Sequence, residues 1–164
     1  MTEQPHKTPK LPTSAIQTDS GIRAETEHWF EYPVIAQPHH TDYGGVVWHG
    51  TYLTWMESAR VECLRSIGVD FAELVALGCD LPVVELSLKY HLPIQLGMRA
   101  IVKTRLNQTQ GVRMHWDYKI QSPDTQKLFV SGRVTLVGVD REKGKIVRQL
   151  PAHLQNALGK LKQG

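Results

Sequence analysis

The hydrophobic pattern changes period twice along the chain. From Trp29 to Gln37 aromatic and β-branched residues crowd together, which predicts a first strand. From about Gly50 the apolar positions Leu53, Met56, Cys63, Leu64 and Ile67 fall on one face, with Ala59 between them. Thr54, Glu57, Ser58, Glu62 and Arg65 fall elsewhere. That is the period of an amphipathic helix of about five turns, with Gly68 as its stop. A short helical piece over Asp70 to Leu77 is expected next. Then the period drops to two. Val84, Leu86, Leu88, Tyr90 and Leu92 alternate with polar residues, as do Met98, Ala100 and Val102, and then Val112, Met114, Trp116, Tyr118 and Ile120. Each reads as a half-buried strand. A last strand is expected from about Gln126 to Val139, with Gly132 and Gly138 as bulge sites, and a closing helix over Leu150 to Leu161.

The links Asn107–Gly111 and Ser122–Thr125 are short enough for antiparallel hairpins. The order is therefore strand, long helix, then four meandering strands. A sheet with one apolar face needs a cover, and only the helix over 50–67 is long and apolar enough to supply it. The expected fold class is α+β: a curved antiparallel sheet of five or six strands wrapped around one long helix. Such a sheet leaves edges that need protection, so self-association is expected, as a homodimer or a dimer of dimers.

Composition narrows the class without changing this picture. The chain has 164 residues, 41% of them hydrophobic and 21% charged, which suits one globular domain. Residues 1–27 hold no aromatic residue but do hold Pro5, Pro9 and Pro12, and are expected to form a flexible tail. The domain is expected over 28–158 and a short tail over 159–164. A net charge of +3, from 19 basic and 16 acidic side chains without a run, gives no reason to expect nucleic acid as a partner. Cys63 and Cys79 form no C-x-x-C pair, so they read as reduced thiols, with Cys63 in the core. No apolar run is long enough to cross a bilayer and no signal core is visible, so membrane insertion is not expected and the location is expected to be cytoplasmic.

The chemistry concentrates between His39 and Tyr52. Asp42 sits in a loop closed by Gly44-Gly45, and His49 follows seven residues later at the start of the long helix. The first amides of a helix lack internal acceptors and carry partial positive charge. A carbonyl oxygen held there is polarised as it becomes an oxyanion. A carboxylate nearby can attack that carbonyl or activate a water against it.

The run Thr41-Asp42-x-Gly44-Gly45-Val46-Val47-x-His49-x-x-Tyr52, followed by Glu57-x-Ala59-Arg60-x-Glu62, resembles the signature of the hotdog-fold acyl-CoA thioesterases. It is most similar to the 4-hydroxybenzoyl-CoA thioesterase family, including its Tol-Pal-cluster branch. Tyr90-His91-Leu92-Pro93, Gly97 and the final strand before Pro151 resemble further pieces of that family. The resemblance implies a hotdog fold and hydrolysis of an acyl-CoA, or of an acyl group on a carrier protein's phosphopantetheine, with no cofactor and no metal. It implies Asp42 as nucleophile or general base, His49 as a supporting side chain, and the His49 amide as the donor to the thioester carbonyl. It also implies an acyl pocket at a dimer interface. Tyr43, Val47, Trp48, Tyr52 and Glu57 are the expected substrate-binding residues.

Two departures accompany the resemblance. His40 stands where Tol-Pal members usually have an acidic residue, and the turn Asn107–Gly111 lacks the basic residues with which some relatives hold CoA phosphates, leaving Arg105, Arg113 or Arg133 for that role. Plainer readings stand beside these. Asp42 can cap its own turn, and His49 can simply pack at an interface. His39, His40, Asp42 and His49 have metal-binding chemistry, although adjacent histidines point different ways. Glu57 is expected to pair with Arg60 or Arg65 or to cross an interface. Trp48, Trp55 and Trp116 suit either a core or an acyl-pocket wall. The rival functions are a dehydratase of β-hydroxyacyl thioesters using His49 with Glu57, and a non-catalytic acyl-CoA-binding protein.

Overall fold

A computed structural model describes residues 28–161; the expected N-terminal tail lies outside the described residues. Strand β1 (Phe30–Ile35) leads through a short 3-10 turn at Pro38–His40 to helix α1 (Thr51–Ser66). Helix α2 (Phe71–Ala76) follows, opened by the Asp70 side chain, which accepts from the Ala72 N–H at 2.7 Å. Then come β2 (Cys79–Asp80), β3 (Val83–Tyr90), β4 (Arg99–Gln110), β5 (Arg113–Gln121) and β6 (Leu128–Val137). Two short strands, β7 (Val139–Asp140) and β8 (Lys145–Ile146), precede helix α3 (Ala152–Leu161).

Five strands form one antiparallel sheet in the order β1-β4-β5-β6-β3. Its inner face carries Ala100, Val102 and Leu106 of β4, Met114, Trp116, Tyr118 and Ile120 of β5, and Val130, Val134 and Leu136 of β6, all buried. They form one cluster with Tyr52, Trp55, Met56, Ala59, Cys63 and Leu64 of α1. The period-two pattern of β5 and the long helix thus meet as expected, because each supplies the cover the other needs. Burial pushes the Cys63 thiol up to about 11, so it stays protonated and inert inside this core.

The structure corrects the sequence reading at several points. The strands do not form a simple four-strand meander. Only β4, β5 and β6 do so; β3 crosses to the far edge and pairs with β6, Leu86 opposite Val134 and Tyr90 opposite Val130. As an edge strand, β3 leaves Val83, Val84, Leu86 and Tyr90 exposed rather than half-buried. The expected hairpin link at Asn107–Gly111 is mostly strand: β4 runs to Gln110 with a register slip between Leu106 and Gln108, and the turn is Gly111-Val112. Gly132 lies in regular register between Leu88 and Tyr118, not in a bulge. The last strand divides at Gly138, after which β7 joins β2 and β8 in a separate small sheet. Leu53 lies off the buried stripe of α1, while Arg60 lies within it, only 4% exposed. Helix α3, by contrast, lies where the closing helix was expected and ends at Leu161.

Candidate functional site

The residues from His40 to Trp48 fold back on themselves. The Trp48 N–H donates to the His40 carbonyl at 2.9 Å, Thr41 and Val47 bridge, and the Asp42 N–H donates to the Val46 carbonyl at 2.9 Å. Gly45, with a φ of 73°, turns the tip, a conformation that side-chain-bearing residues disfavour. The far side of the hairpin is pinned to the β3–β4 connection: Val46 bridges Gln95, and the Val47 N–H donates to the Ile94 carbonyl at 2.8 Å. This ladder joins the Asp42 hairpin, through Trp48, to the residues that open α1. One Asp42 carboxylate oxygen accepts from the Gly44 N–H at 2.8 Å. The turn-capping reading of Asp42 is thus met, and its second oxygen has no protein partner among the described residues.

The helix start leaves a backbone donor open among the described residues. The Trp48 carbonyl accepts from the Thr51 N–H at 2.9 Å, so it is turned into the helix. In a trans peptide the N–H of the same unit points the opposite way. The His49 N–H is therefore turned outward, and it has no acceptor among the described residues. No side chain among the described residues caps this end of α1; the N-cap is Gly50. A Cβ on Gly50 would lie 1.9 Å from the Trp48 ring, which folds directly over it. The Trp48 ring also leans on the His49 ring, with centroids 4.6 Å apart.

Beside this start lies a hollow of about 310 Å³, lined by Val47, His49, Tyr52, Tyr90, His91, Leu92 and Pro93. A second hollow, of about 250 Å³, lies further along α1 beneath β3 and includes Leu53, Glu57, Arg60, Val83 and Leu86. Of the expected site residues, Val47, His49, Tyr52 and Glu57 line these hollows, whereas Asp42, Tyr43 and Trp48 line neither. Val47, His49 and Tyr52 share the first hollow, and burial pushes the Tyr52 phenol up. Glu57 lines the second and makes no ion pair among the described residues; Arg65 pairs instead with Glu62 and Asp70, and Arg60 donates to the Tyr118 hydroxyl at 2.8 Å. Tyr43 is fully exposed at the hairpin tip and lines neither hollow, and Trp48 is half exposed over Gly50. Trp55 and Trp116 are core residues. No group of three or more His, Cys, Asp or Glu among the described residues is arranged to hold a metal ion. Arg105 and Arg133 both bind Asp117, at 3.4 and 2.8 Å, on the opposite face of the sheet from α1.

Two residues make contacts that the sequence did not assign to them. Tyr90 donates to the His49 carbonyl at 3.0 Å. His40 holds the loop together: its carbonyl accepts from both the Trp48 N–H and the Thr51 hydroxyl, and its Nδ1 accepts from the Gln37 N–H at 3.0 Å. Burial, and then the neighbouring His39, lower the His40 pKa below the ordinary 6.5, against a smaller opposite pull from the Ile35 carbonyl. The folded state thus binds this proton less well than the unfolded chain does. The stabilisation from neutral His40 is whole above pH 6.5 and is lost as pH falls through the lowered value. Thermal unfolding from pH 7.5 down to 5 should therefore show a steeper loss of stability for the parent than for His40→Gln, which keeps an acceptor that does not titrate. Parallel curves would remove His40 from this role.

These features, a five-stranded sheet curled on one helix with an acid-bearing hairpin at the helix start, define a class: the hotdog-fold thioester hydrolases. The profile of the thioesterase-like superfamily matches residues 36–158, and the chain belongs to that superfamily. It is 55% identical over 160 residues to the candidate esterase sll0410 of Synechocystis sp., covering 94% of this chain and 96% of the relative. It is 30% identical over 122 residues to the acyl-CoA thioester hydrolase YbgC of Escherichia coli O157:H7, covering 74% of this chain and 90% of that one. Among solved structures, a DHNA-CoA thioesterase from Staphylococcus aureus superposes with a TM-score of 0.76 at 25% identity, over 82% of this chain and 91% of that one.

Proposed function

We propose that this protein hydrolyses acyl-CoA thioesters to a carboxylic acid and free CoA. The observation that carries the reading is the outward-turned His49 amide, without a protein acceptor among the described residues, at the rim of the hollow lined by Val47, Tyr52 and Tyr90. A thioester carbonyl seated on that amide gains a donor aimed at its developing negative charge, reinforced by the electropositive end of α1. Asp42, presented by the hairpin with one carboxylate oxygen free, either attacks the carbonyl carbon, expelling the CoA thiolate and leaving an acyl anhydride that water then cleaves, or takes a proton from a water whose attack expels the thiolate directly. The His49 ring, lining the same hollow, supports leaving-group departure by positioning or proton transfer. The named activity of YbgC agrees with this chemistry.

The dehydratase alternative draws less support, because it needs His49 and Glu57 to act on one substrate, and they line separate hollows. A second subunit completes the picture. The uncovered apolar side chains of β3 are a suitable surface for a homodimer in which each acyl pocket draws on both chains. Light scattering at micromolar concentration should give at least twice the monomer mass; a monomer would overturn this part. The domain is taken as residues 28–158 and its location as the cytoplasm, in keeping with the fact that no described helix is long and apolar enough to cross a membrane.

The direct test follows free thiol released from a panel of saturated, aromatic and β-hydroxyacyl-CoAs with a thiol reagent. Hydrolysis of at least one class is expected. Loss of water from β-hydroxyacyl-CoA without thiol release would favour the dehydratase, and binding without any turnover would favour a sensor.

A further inference from the structure

We infer that Tyr90, on the sheet edge, is the positioning residue that holds the oxyanion-binding turn at the start of α1; the inference rests on the reading of that turn given above. Two carbonyls of the turn are engaged by the helix: Trp48 accepts from the Thr51 N–H at 2.9 Å, and Gly50 accepts from the Leu53 N–H at 3.1 Å. The His49 carbonyl between them accepts instead from the Tyr90 hydroxyl at 3.0 Å. That bond fixes the plane of the His49–Gly50 peptide, because C=O and N–H of one trans unit point in opposite directions. Fixing this plane also limits rotation about His49, and so the direction of its own N–H and of its ring.

No other described side chain provides that restraint. The N-cap residue is a glycine without a side chain, and the Thr51 hydroxyl is committed to the His40 carbonyl at 3.0 Å. An end-of-helix peptide with no partner is free to tilt toward solvent. Tyr90 is itself well anchored. It pairs with Val130 of β6, and its ring meets that of buried Tyr52 edge-on, with centroids 5.6 Å apart. The sheet, the first turn of α1 and the His49–Gly50 peptide are thereby tied together through one phenol. A hydrogen bond accepted at the carbonyl also polarises the peptide unit, which strengthens the Gly50 N–H as a donor.

Tyr90→Phe removes only the hydroxyl and keeps the ring against Tyr52. We expect kcat to fall about tenfold, equivalent to about 1.4 kcal/mol of transition-state stabilisation, with KM within about twofold. A second readout needs no turnover. In an Asp42→Asn background, isotope-edited infrared spectra of a bound thioester labelled with carbon-13 at the carbonyl report how strongly that carbonyl is polarised. The shift of its stretch to lower frequency should shrink by roughly half when Tyr90→Phe is added, since one of the restraints on the donor is gone. Parental kcat with an unchanged carbonyl shift would overturn the inference. A raised KM at unchanged kcat would also overturn it, because the hydroxyl would then be touching substrate rather than holding the turn. Failure of the acyl-CoA reading would appear differently, as no hydrolysis by the parent and no carbonyl shift in Asp42→Asn with Tyr90 intact.

Discussion

Asp42→Asn is expected to lower kcat by about two orders of magnitude or more while leaving the fold intact. The size follows from the loss of a positioned base or nucleophile. The retention of fold follows from the geometry. The asparagine keeps the side-chain oxygen that accepts from the Gly44 N–H at 2.8 Å, and the backbone ladder around it, Asp42 N–H to Val46 and Gly45 N–H to Asp42, does not involve the carboxylate charge. The melting temperature should stay within about 4 °C of the parent, the shift that ~1 kcal/mol gives in a domain of this size. Asp42→Ala removes the turn bond as well and should cost a further ~1 kcal/mol of stability. Parental turnover in Asp42→Asn would mean that the carboxylate serves only the turn.

Gly50→Ala should damage activity through a purely steric route. The added carbon would sit 1.9 Å from one atom of the Trp48 ring and 2.3 Å from another, so the ring has to leave. Trp48 is half exposed and can swing out, which keeps the stability cost modest. Its departure, however, removes the contact with the His49 ring and loosens the peptides that aim the His49 amide. Displacements of about 1 Å at a reacting centre cost up to about 100-fold in rate, and at least a roughly tenfold fall in kcat is expected. The cause can be isolated with a double-mutant cycle. In a Trp48→Ala background there is no ring to displace, so adding Gly50→Ala should then change kcat less than about twofold. Equal losses in both backgrounds would show that the ring is not the obstacle.

Helices α1, α2 and α3 and strand β5 were legible in the sequence because each has a clean period or an explicit cap. Helix α1 starts within a residue or so of the expected Gly50, and Asp70 caps α2 where the short helix was expected. The partner of β3 was not legible. Val84, Leu86 and Tyr90 alternate as a half-buried strand does, but pairing with β6 rather than β4 is decided by how residues 91–98 cross the sheet, and alternation carries no such information. The long extent of β4 was hidden by polar Asn107, Gln108 and Thr109, which resemble a turn; on the projecting end of a hairpin, polar side chains suit a strand equally well. At the site, Asp42 and His49 stood out through their motif and helix position. Tyr90 lies 41 residues from the carbonyl it holds, and nothing in a single sequence marks a tyrosine on an alternating strand as a partner for a helix start. Glu57 was paired with His49 only in the dehydratase alternative, and the two line different hollows.

The most direct measurement is a crystal structure of Asp42→Asn soaked with an intact acyl-CoA that the parent hydrolyses. The thioester oxygen should lie about 3 Å from the His49 amide nitrogen, an ordinary N–H···O distance. The side chain introduced at position 42 should face the carbonyl carbon, and the acyl group should enter the hollow beside Tyr52 and Tyr90. A thioester bound with its carbonyl turned away from α1, or lodged beside Glu57 in the second hollow, would contradict the account.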